Sequence, residues 1–156
     1  MAPEPQAFPV SPLVDQLIDY FSDIAADAGM TMTNNTQGSV VASKELVQRA
    51  LANLLDNALR YGDHGGKIEI ASNREQGSTR LIVFNTGDPV ADDDLPRLFD
   101  RFYRCDPARQ TMTETGGLGL AIVDSIMRHH GGEATVRNAP HGVEVQLIFP
   151  GIADMN

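Results

Sequence analysis

The sequence lacks three features that would otherwise set its class. With a single cysteine, Cys105, it cannot form an internal disulfide, so a reducing compartment is expected. No apolar run approaches the roughly 18 to 20 residues of a membrane span, and no signal-peptide pattern opens the chain. Only 12 lysines and arginines stand against 21 acidic residues, a net charge of −9, which disfavours nucleic acid and anionic membrane surfaces as partners. These absences favour an acidic cytoplasmic domain.

The composition is that of a chain that buries a core. It has 156 residues, 42% of them hydrophobic and 21% charged, which fits one folded domain. Four prolines among the first twelve residues predict a disordered lead-in over residues 1–10. The folded domain is predicted over residues 11–150, with a tail over 151–156.

Hydrophobic spacing predicts three long helices and six extended segments. The helices are expected over 11–29, 43–61 and 116–130, and the extended segments lie within 30–42 (two of them) and over 67–72, 81–84, 134–137 and 143–149. A short helix is also expected near 93–99. Short turns between consecutive strands imply antiparallel pairs. The predicted fold is α/β (α+β), a two-layer sandwich whose mixed, largely antiparallel sheet is covered on one face by three helices.

Two asparagines lie four residues apart in the middle of the second long helix. On a helical wheel Asn53 and Asn57 share an arc of about 80° with Arg49 and Arg60. The residues predicted as core lie on another side and are Val47, Leu51, Leu54, Leu55 and Ala58. Asparagine costs helix propensity in mid-helix, and its amide oxygen is a hard ligand that suits Mg²⁺ together with phosphates. The pattern indicates a magnesium and phosphate site, and a solvated polar face is the alternative.

Glycines open the last long helix at Gly116, Gly117 and Gly119. Glycine permits close backbone approach, and the N–H groups at a helix N-terminus attract phosphate. The spacing matches neither G-x-G-x-x-G nor the P-loop. An ordinary turn before a helix is the alternative here.

A polar segment follows the buried strand at 81–84. The side-chain oxygen of Asn85 could accept a hydrogen bond from an exocyclic amine, and Gly87 leaves space for a base. A plain loop is the alternative.

Arginines and aromatic residues are concentrated between residues 97 and 109. Arg97, Arg101, Arg104 and Arg109 are four of the chain's 12 basic residues. This concentration indicates a mobile lid that handles anions, and a surface loop anchored by phenylalanines is the alternative.

These four segments occur in a particular order along the chain. They resemble four motifs of the ATP-binding domain of bacterial sensor histidine kinases. The N box corresponds to Asn53–Tyr61, the first glycine box to Asn85–Gly87, the F box to Leu98–Arg104 and the second glycine box to Gly117–Ile122. That family belongs to the gyrase/Hsp90/histidine kinase/MutL superfamily, and the resemblance covers roughly 11–150. The Asn-x-Gly form of the first glycine box is similar to that of heavy-metal-type sensor kinases.

The resemblance implies a role for each matching residue. Asn57 would be the magnesium ligand, Arg60 and Arg104 would assist phosphoryl transfer, Tyr61 would lie against adenine, and Asn85 would accept its amino group. The residues implied to contact ATP are Asn53, Asn57, Arg60, Tyr61, Asn85, Gly87, Val90, Gly117, Leu118, Gly119 and Leu120. A flexible ATP lid would lie between the F box and the second glycine box.

The implied activity is donation of the γ-phosphoryl group of Mg-ATP to a histidine on a separate dimerisation domain, within a two-component system that includes a response regulator. None of His64, His129, His130 and His141 precedes an acidic residue, as an acceptor histidine normally does. The chain therefore resembles an excised, monomeric catalytic domain, the cytosolic portion of an inner-membrane sensor kinase.

Three positions depart from the family pattern. Asn85 stands where aspartate is usual, and Pro89 and Thr115 stand where glycines are usual. A non-catalytic interaction module with a degenerate pocket is therefore one alternative. An ATPase or switch of the same superfamily is another, although the helix carries no glutamate placed near Asn57 to activate water.

Overall fold

The computed structural model describes residues 4–100 and 119–150. Its strands are β1 (Gln6–Pro9), β2 (Thr31–Asn35), β3 (Ser39–Ala42), β4 (Lys67–Glu75), β5 (Ser78–Thr86), β6 (Glu133–Ala139) and β7 (Gly142–Phe149). Its α-helices are α1 (Val10–Tyr20), α2 (Ser22–Asp27), α3 (Lys44–Tyr61) and α4 (Gly119–His129). Where the sequence predicts a short helix near 93–99, a 3₁₀ helix covers Leu95–Arg97. No helix in the described part of the chain has the length and apolar content needed to cross a membrane.

Five strands form the main sheet in the order β2-β4-β5-β7-β6, and β1 pairs with β3 in a separate two-stranded sheet. The pair β2–β4 is parallel, and the other neighbours are antiparallel. Parallel neighbours need a long crossover connection, and α3 lies within the one between β2 and β4. The predicted mixed, largely antiparallel sheet is confirmed. The two extended segments of 30–42 belong to different sheets.

One face of the main sheet is buried against helices. Its buried residues include Ile68, Ile70, Leu81, Val83 and Leu147, none more than 2% exposed. Helices α1, α3 and α4 contribute the other side of this core, and all five core residues predicted for α3 are buried. The two-layer sandwich is therefore confirmed. Burying apolar surface between the layers provides its main stabilisation.

The longest helix follows its sequence signals closely. The side chain of Ser43 caps α3 by accepting the N–H of Leu46 at 3.3 Å, and the helix ends at Tyr61. A Cβ placed on Gly62 would lie 2.6 Å from the carbonyl oxygen of Ala58, so the chain leaves this helix where only glycine fits. The predicted helix over 43–61 is confirmed.

The prediction of disorder over residues 1–10 is wrong for the second half of that segment. Gln6–Pro9 form β1, and the side chain of Phe8 is only 5% exposed. Pro9 adopts an extended backbone with φ −72° and ψ 137°. Proline is tolerated in an edge strand because it forfeits no ladder hydrogen bond there. The buried Phe8 provides a hydrophobic anchor that the proline-rich composition obscures.

The first long helix is also different from its prediction, because it divides at Phe21 into α1 and α2. The hydroxyl of Ser22 donates to the carbonyl oxygen of Asp19 at 2.8 Å. A serine that bonds back to a nearby carbonyl competes with the helical ladder and bends helices. The described residues consequently hold four α-helices, of which α1, α3 and α4 form the helical layer.

Candidate nucleotide-binding site

Asn53 and Asn57 form the amide face of α3, and contacts within the helix engage only part of it. Asn53 donates from Nδ2 to the carbonyl oxygen of Arg49 at 3.0 Å, which leaves its Oδ1 for other partners. Asn57 is half-buried, and its amide has no hydrogen bond to any residue in the described ranges. Asn53 therefore has an unbonded amide oxygen, and Asn57 has a side-chain amide without a partner in the described ranges. The two residues are four positions apart on the helix.

The beginning of α4 lies against this face. A Cβ placed on Gly119 would be 3.8 Å from Oδ1 of Asn53, an ordinary contact distance. Leu120 is half-buried and packs against the hydrophobic core. The structure therefore brings together the N-box helix and the start of the last helix, two segments separated by more than fifty residues in the sequence.

The end of α3 meets the end of β5. The N–H of Asp63 donates to the carbonyl oxygen of Thr86 at 3.0 Å. A Cβ placed on Gly87 would lie 3.6 Å from the carbonyl oxygen of Tyr61 and 3.7 Å from Cα of Gly62. The predicted adenine residues Tyr61 and Gly87 are thus neighbours in space.

Asn85 lies close to these residues near the end of β5. Its Nδ2 donates to the carbonyl oxygen of Thr86 at 3.1 Å. Within the described part of the chain, its Oδ1 has no hydrogen-bond partner. The side chain is half-buried, so a free acceptor is compatible with its predicted contact with an amino group.

Arg60 contacts a carboxylate of its own helix. Its Nε lies 2.9 Å from Oδ2 of Asp56, and the two side chains are 36% and 37% exposed. An exposed pair of this kind is weak, so the guanidinium can exchange the carboxylate for a phosphate at little cost. The same contact engages the acidic residue closest to Asn57 on α3.

The donor set fits magnesium only in combination with phosphate. The described residues contain no group of three or more His, Cys, Asp or Glu side chains that could hold a metal ion. Mg²⁺ commonly takes one or two protein oxygens and completes its octahedron with phosphate and water. A single amide oxygen from Asn57 fits that pattern.

The structure locates most of the predicted site residues. Asn53, Asn57, Arg60 and Tyr61 lie on α3, Asn85 on β5, Gly87 and Val90 in the loop after β5, and Gly119 and Leu120 in α4. The remaining ones, Arg104, Gly117 and Leu118, lie outside the described residues, as do Arg101 and Arg109 of the predicted lid and the tail over 151–156.

Sequence reasoning missed two residues that contact the loop after β5. The side chain of Asn138 bonds to the backbone of Val90, and the carbonyl oxygen of His141 accepts the N–H of Gly87. Asn138 is the second-to-last residue of β6, and His141 lies in the turn that leads to β7, where polar residues and proline are typical of any turn. The contacts join residues about fifty positions apart, so no local pattern reports them.

Comparisons with known proteins agree with this geometry. Residues 42–152 match the family model described as "Histidine kinase-, DNA gyrase B-, and HSP90-like ATPase". The chain is 38% identical over 151 residues to Sensor histidine kinase CusS of Escherichia coli K12, covering 96% of this chain and 32% of that protein. It is 38% identical over 136 residues to Sensor protein CzcS of Cupriavidus metallidurans, covering 86% of this chain and 29% of that protein. It thus spans about a third of the length of these relatives.

A solved structure shares the fold across nearly the whole chain. The nucleotide-free catalytic domain of histidine kinase ThkA superposes with a TM-score of 0.82 at 26% sequence identity, and the match covers 95% of this chain and 96% of that one. The agreement includes the helical layer and the sheet that position the candidate site.

Proposed function

Because the chain belongs to the histidine kinase-, DNA gyrase B- and HSP90-like ATPase family, we propose that it binds Mg-ATP and donates the γ-phosphoryl group to a histidine on a separate dimerisation domain. Its curated relatives CusS and CzcS carry the names of a sensor histidine kinase and a sensor protein. Since the chain spans about a third of those proteins, the activity of the whole protein is part of the proposal.

One observation carries the proposal above the others. The amide of Asn57 is accessible and without a partner in the described ranges, and Oδ1 of Asn53 approaches Gly119 at the start of α4. A mid-helix asparagine pair is unfavourable for the helix itself, so a ligand that uses the amides offsets that cost. Phosphate groups with a magnesium ion match this site, because it offers uncharged amide oxygens next to a glycine at the start of a helix.

Asn57 would hold the magnesium ion, with Asn53 close to the phosphates. When bound, Mg²⁺ would offset the phosphate charge and fix the phosphate geometry. The chain carries a net charge of −9, so its overall field repels ATP. Arg60, and Arg104 from the predicted lid, would supply the local positive charge that binding requires.

The chemistry needs positioning more than proton transfer within this chain. A neutral imidazole nitrogen of the acceptor attacks the γ-phosphorus and forms a P–N bond as the bond to the β,γ-bridging oxygen breaks. ADP leaves with that electron pair. Because neutral imidazole is already nucleophilic, no general base from this chain is required. The contact between Asp56 and Arg60 is consistent with this, since it engages the carboxylate that is adjacent to Asn57 in the sequence.

Two partners follow from the proposed activity. The first is the dimerisation domain that carries the acceptor histidine, and the second is a response regulator that takes the phosphoryl group from it. The heavy-metal subtype predicted from Asn85–Gly87 and the monomeric state of the isolated domain remain predictions.

The proposal is tested by titrating a fluorescent ATP analogue with and without magnesium. Wild type should show saturable binding that magnesium tightens, and Asn57→Ala should remove most of that magnesium dependence. Asn73→Ala is the matched control, because Asn73 is an exposed asparagine of β4. Adding a purified dimerisation domain should then produce acid-labile phosphohistidine.

Each alternative has its own outcome in this experiment. Absence of saturable binding at high micromolar nucleotide would overturn the proposal in favour of an interaction module. Steady phosphate release without an acceptor domain would favour the ATPase. An unchanged magnesium dependence in Asn57→Ala would refute the ligand assignment alone.

A further inference from the structure

The end of β6 and the turn that leads to β7 contact the loop after β5 at two points, through Asn138 and His141. The N–H of Gly87 donates to the carbonyl oxygen of His141 at 3.1 Å. The N–H of Val90 donates to Oδ1 of Asn138 at 2.8 Å, and Nδ2 of Asn138 donates to the carbonyl oxygen of Val90 at 2.8 Å. One half-buried amide therefore satisfies both backbone polar groups of Val90.

These bonds continue the sheet past its last paired residues. Pairing between β5 and β7 ends at Thr86 and Gly142. The bond from Gly87 to His141 is the next contact along the chain, and the amide of Asn138 then pairs with Val90 as a neighbouring strand would. The loop is thus bonded at Gly87 and at Val90, although neither residue belongs to a strand in the described part of the chain.

The turn is shaped to make this contact. His141 adopts φ +69°, a left-handed conformation that costs a non-glycine residue energy and persists where surrounding contacts fix it. Gly142 follows it, and a Cβ placed there would overlap the carbonyl oxygen of Asn85. The absence of a side chain at Gly142 lets the turn lie directly on the end of β5.

We propose that Asn138 is a positioning residue that holds Val90, and with it the loop that follows Gly87, in the geometry that receives the nucleotide base. The inference rests on the proposed function, because Gly87 and Val90 are among the residues implied to contact ATP, and Gly87 is the one expected to leave space for the base. Asn138 acts through Val90 and does not touch the nucleotide. Its contribution is preorganisation, since a loop already ordered costs less to fix when the ligand binds.

The chemistry of the side chain explains why an amide serves here. It donates to a carbonyl and accepts from an N–H at the same time, which matches the two groups of one residue. A carboxylate at the same position would accept the N–H of Val90 but would repel its carbonyl oxygen. Alanine would satisfy neither group. Asn138→Asp therefore loses one bond and adds a repulsion, whereas Asn138→Ala loses both bonds without adding a repulsion.

The test measures the Kd for the fluorescent ATP analogue with and without magnesium. It compares wild type, Asn138→Ala and Asn138→Asp, with Asn73→Ala as the control. Asn138→Ala should raise the Kd for Mg-nucleotide about tenfold, equivalent to about 1.4 kcal/mol. The ratio of the Kd values without and with magnesium should stay within twofold of wild type, because the amide face of α3 is untouched. Asn138→Asp should not restore wild-type affinity. The control should behave as wild type.

A second readout does not depend on the nucleotide. The amide hydrogen of Val90 should exchange about tenfold faster in Asn138→Ala, because its acceptor is gone, while amides of α3 keep their protection. Unaltered exchange at Val90, or a Kd within twofold of wild type, would overturn the inference. A fall in the ratio of the Kd values without and with magnesium, in proportion to the loss of affinity, would also overturn it, since a general structural defect has that effect. Failure of wild type to bind nucleotide would instead overturn the proposed function, and the exchange measurement would then decide whether Asn138 holds the loop.

Discussion

The two sides of the candidate site are held by different kinds of contact. On the phosphate side, defined as Asn53, Asn57 and Arg60, the hydrogen bonds found in the described ranges join residues of the same helix, four positions apart. On the base side, defined as Asn85 to Val90, most bonds come from distant parts of the chain. The phosphate side is a face of one helix, whereas the base side is a junction of several elements.

This difference has a consequence for substitution. Side chains of the phosphate side project from a helix whose opposite face is buried, so they can be shortened without disturbing the core. The backbone of the base side is itself part of the packing, at the carbonyl oxygens of Asn85 and Thr86. We therefore expect changes on the phosphate side to affect binding and changes near the base side to affect stability as well.

The largest effect on stability is expected from Gly142→Ala. A Cβ there would overlap the carbonyl oxygen of Asn85 and lie 2.7 Å from ring atoms of Phe84. Because a backbone oxygen cannot move aside as a flexible side chain can, we expect the free energy of unfolding to fall by about 3 kcal/mol. Chemical denaturation measures this through the midpoint at constant m-value.

Gly77→Ala is the control for this substitution. Unlike Gly142, Gly77 has room for a side chain, since a Cβ there would meet no described atom within 4 Å, and the cost of alanine comes only from φ +83°. We expect that cost to be about 1 kcal/mol. If Gly142→Ala destabilises no more than Gly77→Ala, the base side is not a packed junction and the comparison of the two sides is wrong.

The same difference explains how much of this protein its sequence predicts. The core face and the polar face of α3 follow from helical periodicity, and both ends of that helix follow from Ser43 and Gly62. The parts of the site carried by one helix are therefore predictable from spacing alone. Antiparallel pairing of β4 with β5 and of β6 with β7 follows equally from the short turns between them.

The spacing of residues along the sequence gives no information about contacts between distant segments. Asn138 is an asparagine near the end of β6, close to a turn, and the sequence is the same whether or not its side chain bonds to Val90. Phe8, surrounded by prolines, is indistinguishable from part of a flexible lead-in until β3 is known to pair with β1. In both cases the decisive partner is more than thirty residues away, and only the assembled fold brings it close.

The phosphate side also depends on one long-range anchor, located at the far end of α3. Nε2 of His130 accepts the N–H of Ser43 at 3.0 Å, and its Nδ1 lies 2.8 Å from the carbonyl oxygen of Ile126, which fixes the tautomer with the proton on Nδ1. Ser43 is 1% exposed. A buried N–H that loses its acceptor costs roughly 1–3 kcal/mol.

We therefore expect His130→Phe to lower the free energy of unfolding by about 2 kcal/mol. Phenylalanine preserves a ring against Phe149, whose centroid lies 5.8 Å from that of His130. It removes the acceptor of the Ser43 N–H together with the Nδ1 contact to Ile126. His129→Phe is the matched control, since His129 is exposed at the end of α4. Equal stability of the two variants in urea would show that the bond to Ser43 does not anchor α4 to α3.

A smaller effect is expected from Asp56→Asn on the phosphate side. The pair with Arg60 is about one-third exposed, so its loss should change the free energy of unfolding by no more than about 0.5 kcal/mol. Removing a negative charge and releasing Arg60 should tighten Mg-ATP binding by about twofold. Isothermal titration measures the affinity, and thermal unfolding measures the stability.

Asp124→Asn provides the control for Asp56→Asn. Asp124 pairs with Arg128 in the same geometry, with Nε 2.9 Å from Oδ2 four residues apart, but on α4. This variant should leave Mg-ATP affinity unchanged. If Asp56→Asn weakens binding, or if the two variants tighten it equally, then Arg60 does not act on phosphate in the manner proposed.

The smallest expected quantity is the coupling between the two sides. Asn57 lies on α3, whereas Asn138 acts through Val90 in the loop after β5, and the described residues show no contact shared by the two side chains. Substitutions without a shared partner usually combine additively to within about 0.4 kcal/mol. In a double-mutant cycle of Asn57→Ala and Asn138→Ala, the double variant should therefore raise the Kd for Mg-nucleotide by the product of the two single-variant factors. A cycle of Asn57→Ala with Arg60→Gln, one turn apart on the same phosphates, should instead couple by about 1 kcal/mol. Coupling of that size between Asn57 and Asn138 would mean that the phosphate side and the base side respond as one unit, and that their separate means of support do not make them independent in binding.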